Sequence, residues 1–263
     1  MQTISDILGY KIIDIHSHFD HGVEGDSGAV RDIQTKNLQL EDLDFSFSQH
    51  KGVGIEVCGY STFSSVLSSV RVAEENEYLY ELVKREPHMR QWVVVHPEIE
   101  MTFRQAEKML DSPLTLGIKI HPPCHGYSIL DKYERIFDLA NRLSATVLMH
   151  PDSISRMPEL CDNYPRMRLI IAHVGSENHV QAVKRSKAEN IFLDTSGGAS
   201  NLNNVIEYAT ETVGAEKILF GTDTYSAAFQ TGRIAFARIS DEAKRKILRD
   251  NAIRMFPRAF SEI

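Results

Sequence analysis

The sequence predicts an α/β protein, a single-domain (β/α)8 TIM barrel spanning residues 1–263. Two observations predict it. Eight short runs rich in Val, Ile and Leu alternate with segments of helical spacing, and the polar residues that end those runs are mostly histidine and aspartate. Runs of that length suit strands covered on both faces, as in a parallel sheet. Alternation of strand and helix implies right-handed βαβ units, and eight such units fit the roughly 250 residues of a closed barrel. A doubly wound open sheet is the alternative that the pattern leaves. In a barrel the C-terminal ends of the strands build the active face, which is where the histidines and aspartates fall.

In chain order, strands are expected at residues 11–16, 53–58, 92–95, 116–121, 146–150, 168–173, 191–194 and 218–223. Helical spacing marks 69–85, with Val72, Leu79, Leu82 and Val83 on one side, and 130–143, with Tyr133, Ile136, Phe137 and Ala140. Segments 101–110, 178–187, 202–212 and 241–256 share it. No linker rich in Pro, Gly or Ser and no internal repeat divides the chain, so one domain accounts for it.

Lys and Arg number 29 against 36 Asp and Glu, a formal net charge of −7. That balance argues against nucleic acid as a partner, because a basic footprint supplies most of such affinity. The 42% hydrophobic and 25% charged residues are those of a globular chain. No apolar run approaches the ~18 residues of a membrane span. The first ten residues lack the basic leader and apolar block of a signal peptide. Cys58, Cys124 and Cys161 are odd in number and widely spaced, as free thiols in a reducing cytoplasm would be. The expected partner is a small-molecule substrate, in the cytoplasm, with a homo-oligomer allowed.

The first strand ends in Asp14-Ile15-His16-Ser17-His18. Side chains alternate along a strand, so His16 and His18 project to the same side, about 6 to 7 Å apart, and can share one metal ion. His150, His173 and Asp223 end the fifth, sixth and eighth runs. By parity, Val147 and Met149 face the helices and His150 points inward, while Phe220 and Thr222 face outward and Asp223 inward. Any one such histidine reads as a core residue satisfied by backbone. Four histidines and an aspartate on one rim need a common partner, and a divalent cation is the economical one.

The segments IIDIHSHFD, GIKIHPP, VLMHPDS, LIIAHVGS, ILFGTDTYS and ISDEAKRKILRDNAIRMFP resemble those of the amidohydrolase superfamily, most of all its amidohydrolase-related branch of metal-dependent barrel hydrolases. The resemblance runs from the first strand to the last helix. It implies that His16, His18, His150 and Asp223 bind a catalytic divalent metal, with zinc the expected ion and manganese or iron(II) the alternatives. It implies for His173 either a second metal or the placing of water or substrate. Lys119 is open: in binuclear relatives a carboxylated lysine here bridges two ions, while a lysine paired with Glu56 or Asp194, or one binding an anionic substrate, also fits. His121 is its partner in substrate binding, and His21, His125, Tyr127 and Tyr225 are further contacts.

Such a site gives a metal-dependent hydrolase of amide, lactone or related ester bonds in a small molecule, with Asp223 as general base then acid and His173 assisting. Decarboxylases of the same branch are the alternative, set back because they are longer through an inserted segment. TatD-type nucleases come third, since they carry a glutamate where this chain has Gly-Ile-Lys-Ile-His-Pro. A barrel that has lost catalysis and only binds is the reading from another class, and retention of all five residues argues against it. Cys124-His125 as a thiol nucleophile with its base weighs less than a pocket-lining loop, and residues 196–200 as a phosphate cradle less than a tight turn. Basic clusters at 84–85, 184–185 and 244–246 read as solvated helix faces. No nicotinamide or P-loop nucleotide pattern occurs.

Overall fold

A computed structural model describes residues 2–19, 43–201, 204–224, 227–261 and 263. Eight strands form one sheet in chain order: β1 Ile12–Phe19, β2 Ile55–Thr62, β3 Met89–Val94, β4 Thr115–Ile120, β5 Thr146–Met149, β6 Arg168–Ile171, β7 Ile191–Asp194 and β8 Ile218–Leu219. Every neighbouring pair is parallel, as the alternating pattern predicts. The sheet closes where the Ile15 amide donates to Phe220 O at 2.9 Å and the Asp223 amide to His16 O at 2.8 Å. The chain is a TIM barrel. The regular strands β5, β6 and β8 stop at Met149, Ile171 and Leu219, so His150, His173 and Asp223 lie just beyond them rather than within.

The helices expected at 69–85, 101–110, 130–143 and 178–187 are present as Val72–Val83, Glu100–Met109, Ile129–Leu143 and Glu177–Arg185. Segment 202–212 appears as Val205–Val213, with residues 202 and 203 outside the described ones. Segment 241–256 is broken into Asp241–Arg245, a π turn at Lys246–Asp250, and Asn251–Met255. Ile4–Leu8, Leu43–Val53, Phe63–Leu67, Met157–Cys161 and Ala227–Ala235 gave no periodic signal. Most of them are too short for one, since it takes about 11 residues to establish. The basic clusters sit on solvated faces, with Lys84 bonded to Glu81 at 2.6 Å and Lys246 to Glu242 at 2.9 Å. No helix among the described residues is long and apolar enough to cross a membrane.

Two apolar layers hold the barrel. The outer one packs strand residues such as Ile12, Ile118, Val147 and Leu169 against the helices. The inner one fills the lumen with Ile13, Ile15, Trp92, Leu116, Leu148 and Ile170, closed from below by Phe256 and Phe260. Trp92 stands edge-on to Phe256 at 5.7 Å, and its indole donates to Ile15 O at 2.6 Å. Only glycine fits at 117, where a Cβ would lie 2.7 Å from the Trp92 ring and 2.2 Å from Thr146 O.

Two register shifts set up the active face. Along β1 the pairing with β2 slips between Asp14 and Ser17. Ile13 and Ile15 face the lumen, so strict alternation would send His16 and His18 to the helices; the extra residue turns both inward. In β4, Thr115 and Gly117 oppose the consecutive residues Gln91 and Trp92, which leaves Leu116 in the lumen and yet places Lys119 there too, with Ile118 and Ile120 outside.

Candidate metal centre

On β1, His16 Nε2 and His18 Nε2 lie 3.2 Å apart, and both rings are buried. The other nitrogen of each ring is held from behind. His16 Nδ1 faces Asp194 Oδ2 at 2.8 Å and Ser196 Oγ at 2.9 Å. His18 Nδ1 faces Ser61 O at 3.1 Å. A ring nitrogen against a carboxylate or carbonyl must carry the proton, which leaves each Nε2 as an acceptor lone pair aimed at the centre. Asp223 Oδ1 completes the group, 3.2 Å from His18 Nε2 and 3.7 Å from His16 Nε2.

Backbone geometry delivers the two residues that follow strands six and eight. Ile170 and Ala172 face the lumen, so continued alternation would turn His173 outward. Its φ of 60° brings it back, and Asp223 has a φ of 58°. Such left-handed conformations in non-glycine residues are uncommon and concentrate at functional sites. The His173 amide donates to Asp194 Oδ1 at 3.0 Å, and its Nδ1 lies 2.9 Å from Ser196 Oγ. The Asp223 turn is fastened through Asp14, whose carboxylate accepts the His16 amide at 2.8 Å and the Thr222 hydroxyl at 2.6 Å. One ligand atom each from His16, His173 and Asp223 falls within a 4.8 Å group. His150 joins through His173, Nδ1 to Nε2 at 3.2 Å, rather than by a hydrogen bond to His16, His18 or Asp223.

Lys119 is fully buried, with Nζ 2.8 Å from His16 Nε2. Glu56 is not its partner: that carboxylate is on the surface, 3.1 Å from Lys11 Nζ. Asp194 and Asp223 are the anions that act on Lys119, but burial outweighs them and lowers its pKa to about 8. His121 lies to one side, stacked on His150 with ring centres 3.9 Å apart, and its Nδ1 accepts the Cys124 amide. His125 bonds Ser65 O and not Cys124, and burial pushes the Cys124 thiol up, so no activated thiolate forms. Tyr127 is described and half-buried, whereas His21 and Tyr225 lie outside the described residues. Residues 198–201 make a 3-10 turn after β7, and Ser196 serves the imidazoles rather than a phosphate.

Burial, reinforced by the Lys119 charge, lowers His16 to about 3; burial, then His173 and Lys119, lower His150 to about 3. Both are therefore neutral ligands-in-waiting at pH 7. Burial alone would raise the Asp223 carboxyl, but the rings of His173, His18 and His16 reverse this and hold it well below the usual range. Two imidazole lone pairs and a carboxylate oxygen, all acceptors, thus face one another at 3.2 to 3.7 Å. Such an arrangement needs a cation, and the Lys119 ammonium, 2.8 Å from His16 Nε2, answers only one of the three acceptors. Ligand atoms about 2.1 Å from a tetrahedral ion are separated by roughly 3.4 Å, so the set fits a divalent metal. Asp194 and Ser196 were not foreseen in these roles, although Asp194 ends an apolar strand as His16 and Asp223 do.

The Amidohydrolase family model matches residues 13–258. No curated protein matches the chain. Among solved structures, it is similar to 2,6-dihydroxybenzoate decarboxylase from Rhizobium, at 17% identity and TM-score 0.70 over 94% of this chain and 98% of that one. It is similar to 5-carboxyvanillate decarboxylase from Sphingomonas paucimobilis, at 15% identity and TM-score 0.72 over 94% and 99%. A dihydroxybenzoic acid decarboxylase from Polaromonas with bound manganese aligns at 18% identity and TM-score 0.67 over 94% and 97%. At these identities the likeness is one of fold.

Proposed function

This chain belongs to the amidohydrolase family, and we propose that it is a metal-dependent decarboxylase of a small carboxylic acid. The observation that carries the reading is the placement of Lys119. A buried ammonium lies 2.8 Å from His16 Nε2, at the edge of a donor set suited to a divalent ion, so two cationic partners meet where a substrate carboxylate can bind. The decarboxylases of like fold support the same reaction class. Their alignments extend over 97–99% of those chains, which removes chain length as an argument against it.

His16, His18 and Asp223 would hold the ion, with His173 and His150 beside them. When bound, it supplies Lewis-acid polarisation of a substrate oxygen; manganese and zinc both suit such donors. Lys119 neutralises the carboxylate and orients it. Asp223, kept ionised, accepts a proton from an acidic group of the substrate and returns it to the carbon that loses carbon dioxide, whose bonding pair stays behind on that carbon. His121 and His150, stacked, form one wall for a flat substrate.

Hydrolysis of an amide, lactone or ester is the second reading, favoured by that same ionised Asp223, which suits it to deprotonate water. A side-by-side assay with manganese or zinc decides between them. Carbon dioxide released from a panel of hydroxylated aromatic acids, and lost in Lys119→Met, is expected. Turnover confined to lactones, cyclic amides or N-acyl compounds would overturn the decarboxylase reading.

A further inference from the structure

At the opposite end of the barrel, the first residues of three consecutive strands, Thr115, Thr146 and Arg168, line one cleft of about 330 Å³ together with Arg254 and Arg258 of the C-terminal segment. Thr115 Oγ1, Thr146 Oγ1 and Arg168 Nε have no hydrogen-bond partner in the protein, although Thr146 is 1% and Thr115 8% exposed. Buried polar atoms are rarely left so, and each costs free energy until a partner arrives. The remaining contacts of Arg168 are long, Nη1 to Met255 O at 3.3 Å and Nη2 to Ser144 O at 3.5 Å. Among the described residues, Arg168, Arg254 and Arg258 form no ion pair. In a chain of net charge −7, three guanidiniums on one cleft are a local reversal of sign.

We infer that this cleft is a second ligand site, which binds a phosphate group through Arg168, Arg258 and the hydroxyls of Thr115 and Thr146. The cleft supplies donors on several sides, which matches an oxyanion with several acceptor oxygens, and guanidiniums grip such groups bidentately. Its volume lies at the lower end of ligand pockets. Leu116 and Phe256 give it an apolar wall, suited to the organic part of a phosphate monoester.

The test is thermal unfolding and calorimetry of the full chain, with inorganic phosphate and phenyl phosphate at constant ionic strength set by potassium chloride. A saturable rise in Tm is expected with phosphate and not with chloride. Arg258→Gln, at an exposed position whose Nη2 also donates to Asp111 O, and Thr146→Val should each weaken binding at least tenfold with the circular dichroism spectrum unchanged, and Arg168→Gln more. His16→Ala should leave the response unchanged, which separates this site from the metal centre. Tighter binding of phenyl phosphate assigns the ligand to phosphate monoesters, and tighter binding of inorganic phosphate to the free ion. No saturable response, a response untouched by Arg258→Gln and Thr146→Val, or one lost in His16→Ala would overturn the inference.

Discussion

His16 Nδ1 and Asp194 Oδ2 lie 2.8 Å apart, with neither side chain more than 1% exposed. The carboxylate fixes the imidazole tautomer from behind, and the same residue accepts the His173 amide. Partners of this kind set ligand basicity and orientation. Asp194→Asn is therefore expected to weaken metal affinity ~10- to 100-fold, read by competition with a chelator. An unchanged affinity would remove Asp194 from the site.

His16→Ala tests the donor set itself. Elemental analysis of the purified protein should give at least one equivalent of divalent metal, and well under one in the variant. Equal metal contents in the two would count against the centre.

Asp223→Asn keeps the side-chain shape and removes the base. Turnover should fall by at least ~10², the scale of a lost general acid–base, with the circular dichroism spectrum unchanged. Near-normal turnover with metal bound would reassign the proton to another group.

Gly197 has a φ of 70°, and a Cβ there would lie 2.8 Å from His173 Nδ1. Gly197→Ala combines backbone strain with pressure on that ring, so turnover should drop at least tenfold for a stability loss of about 1–2 kcal/mol. A variant with full activity would show that His173 tolerates displacement.

Glu207 lies against Arg233 at 2.6 Å, remote from the metal centre. Partial burial raises its carboxyl, but the Arg233 hydrogen bond and the Arg238 amide prevail and lower it to about 2. A carboxyl depressed in the folded state adds stability above about pH 4.5, and that stability is lost as the pH falls toward 2. The pair is partly solvated, so its worth is no more than about 1 kcal/mol. Between pH 5 and pH 3, urea unfolding of Glu207→Gln should lose less stability than the wild type does. Equal losses would mean that the pair is not formed in solution.

The barrel was legible because strand length and apolar composition carry it: every run from 11–16 to 218–223 became a strand or its close extension. The rim residues were legible because histidine and aspartate at the ends of Val- and Ile-rich runs have few other uses. Parity arguments worked for His150, which follows Leu148 on the lumen side. They hold for Asp223 too, since Leu219 faces the lumen and Phe220 the helices, but they do not reach His173, where a positive φ and not alternation sets the direction. Asp194 and Ser196 were hidden for another reason: their role depends on which ring nitrogen they meet across β1, β6 and β7, and nothing in a linear sequence reports that. The pairing of Lys119 was open for the same reason. Its choice of His16 rather than Glu56 is fixed by the extra residue in β4.

Copying His16 and His18 onto a first strand that lacks the slip between Asp14 and Ser17 would plant both imidazoles among the aliphatic side chains beneath the helices. The histidine pair is thus portable between barrels only as a package with its surplus residue. Loss of a single codon within that short stretch would disarm the centre at one stroke, while the hydrophobic residues below it kept their places. A scaffold left without chemistry is one mutational event away, and the way back is equally short.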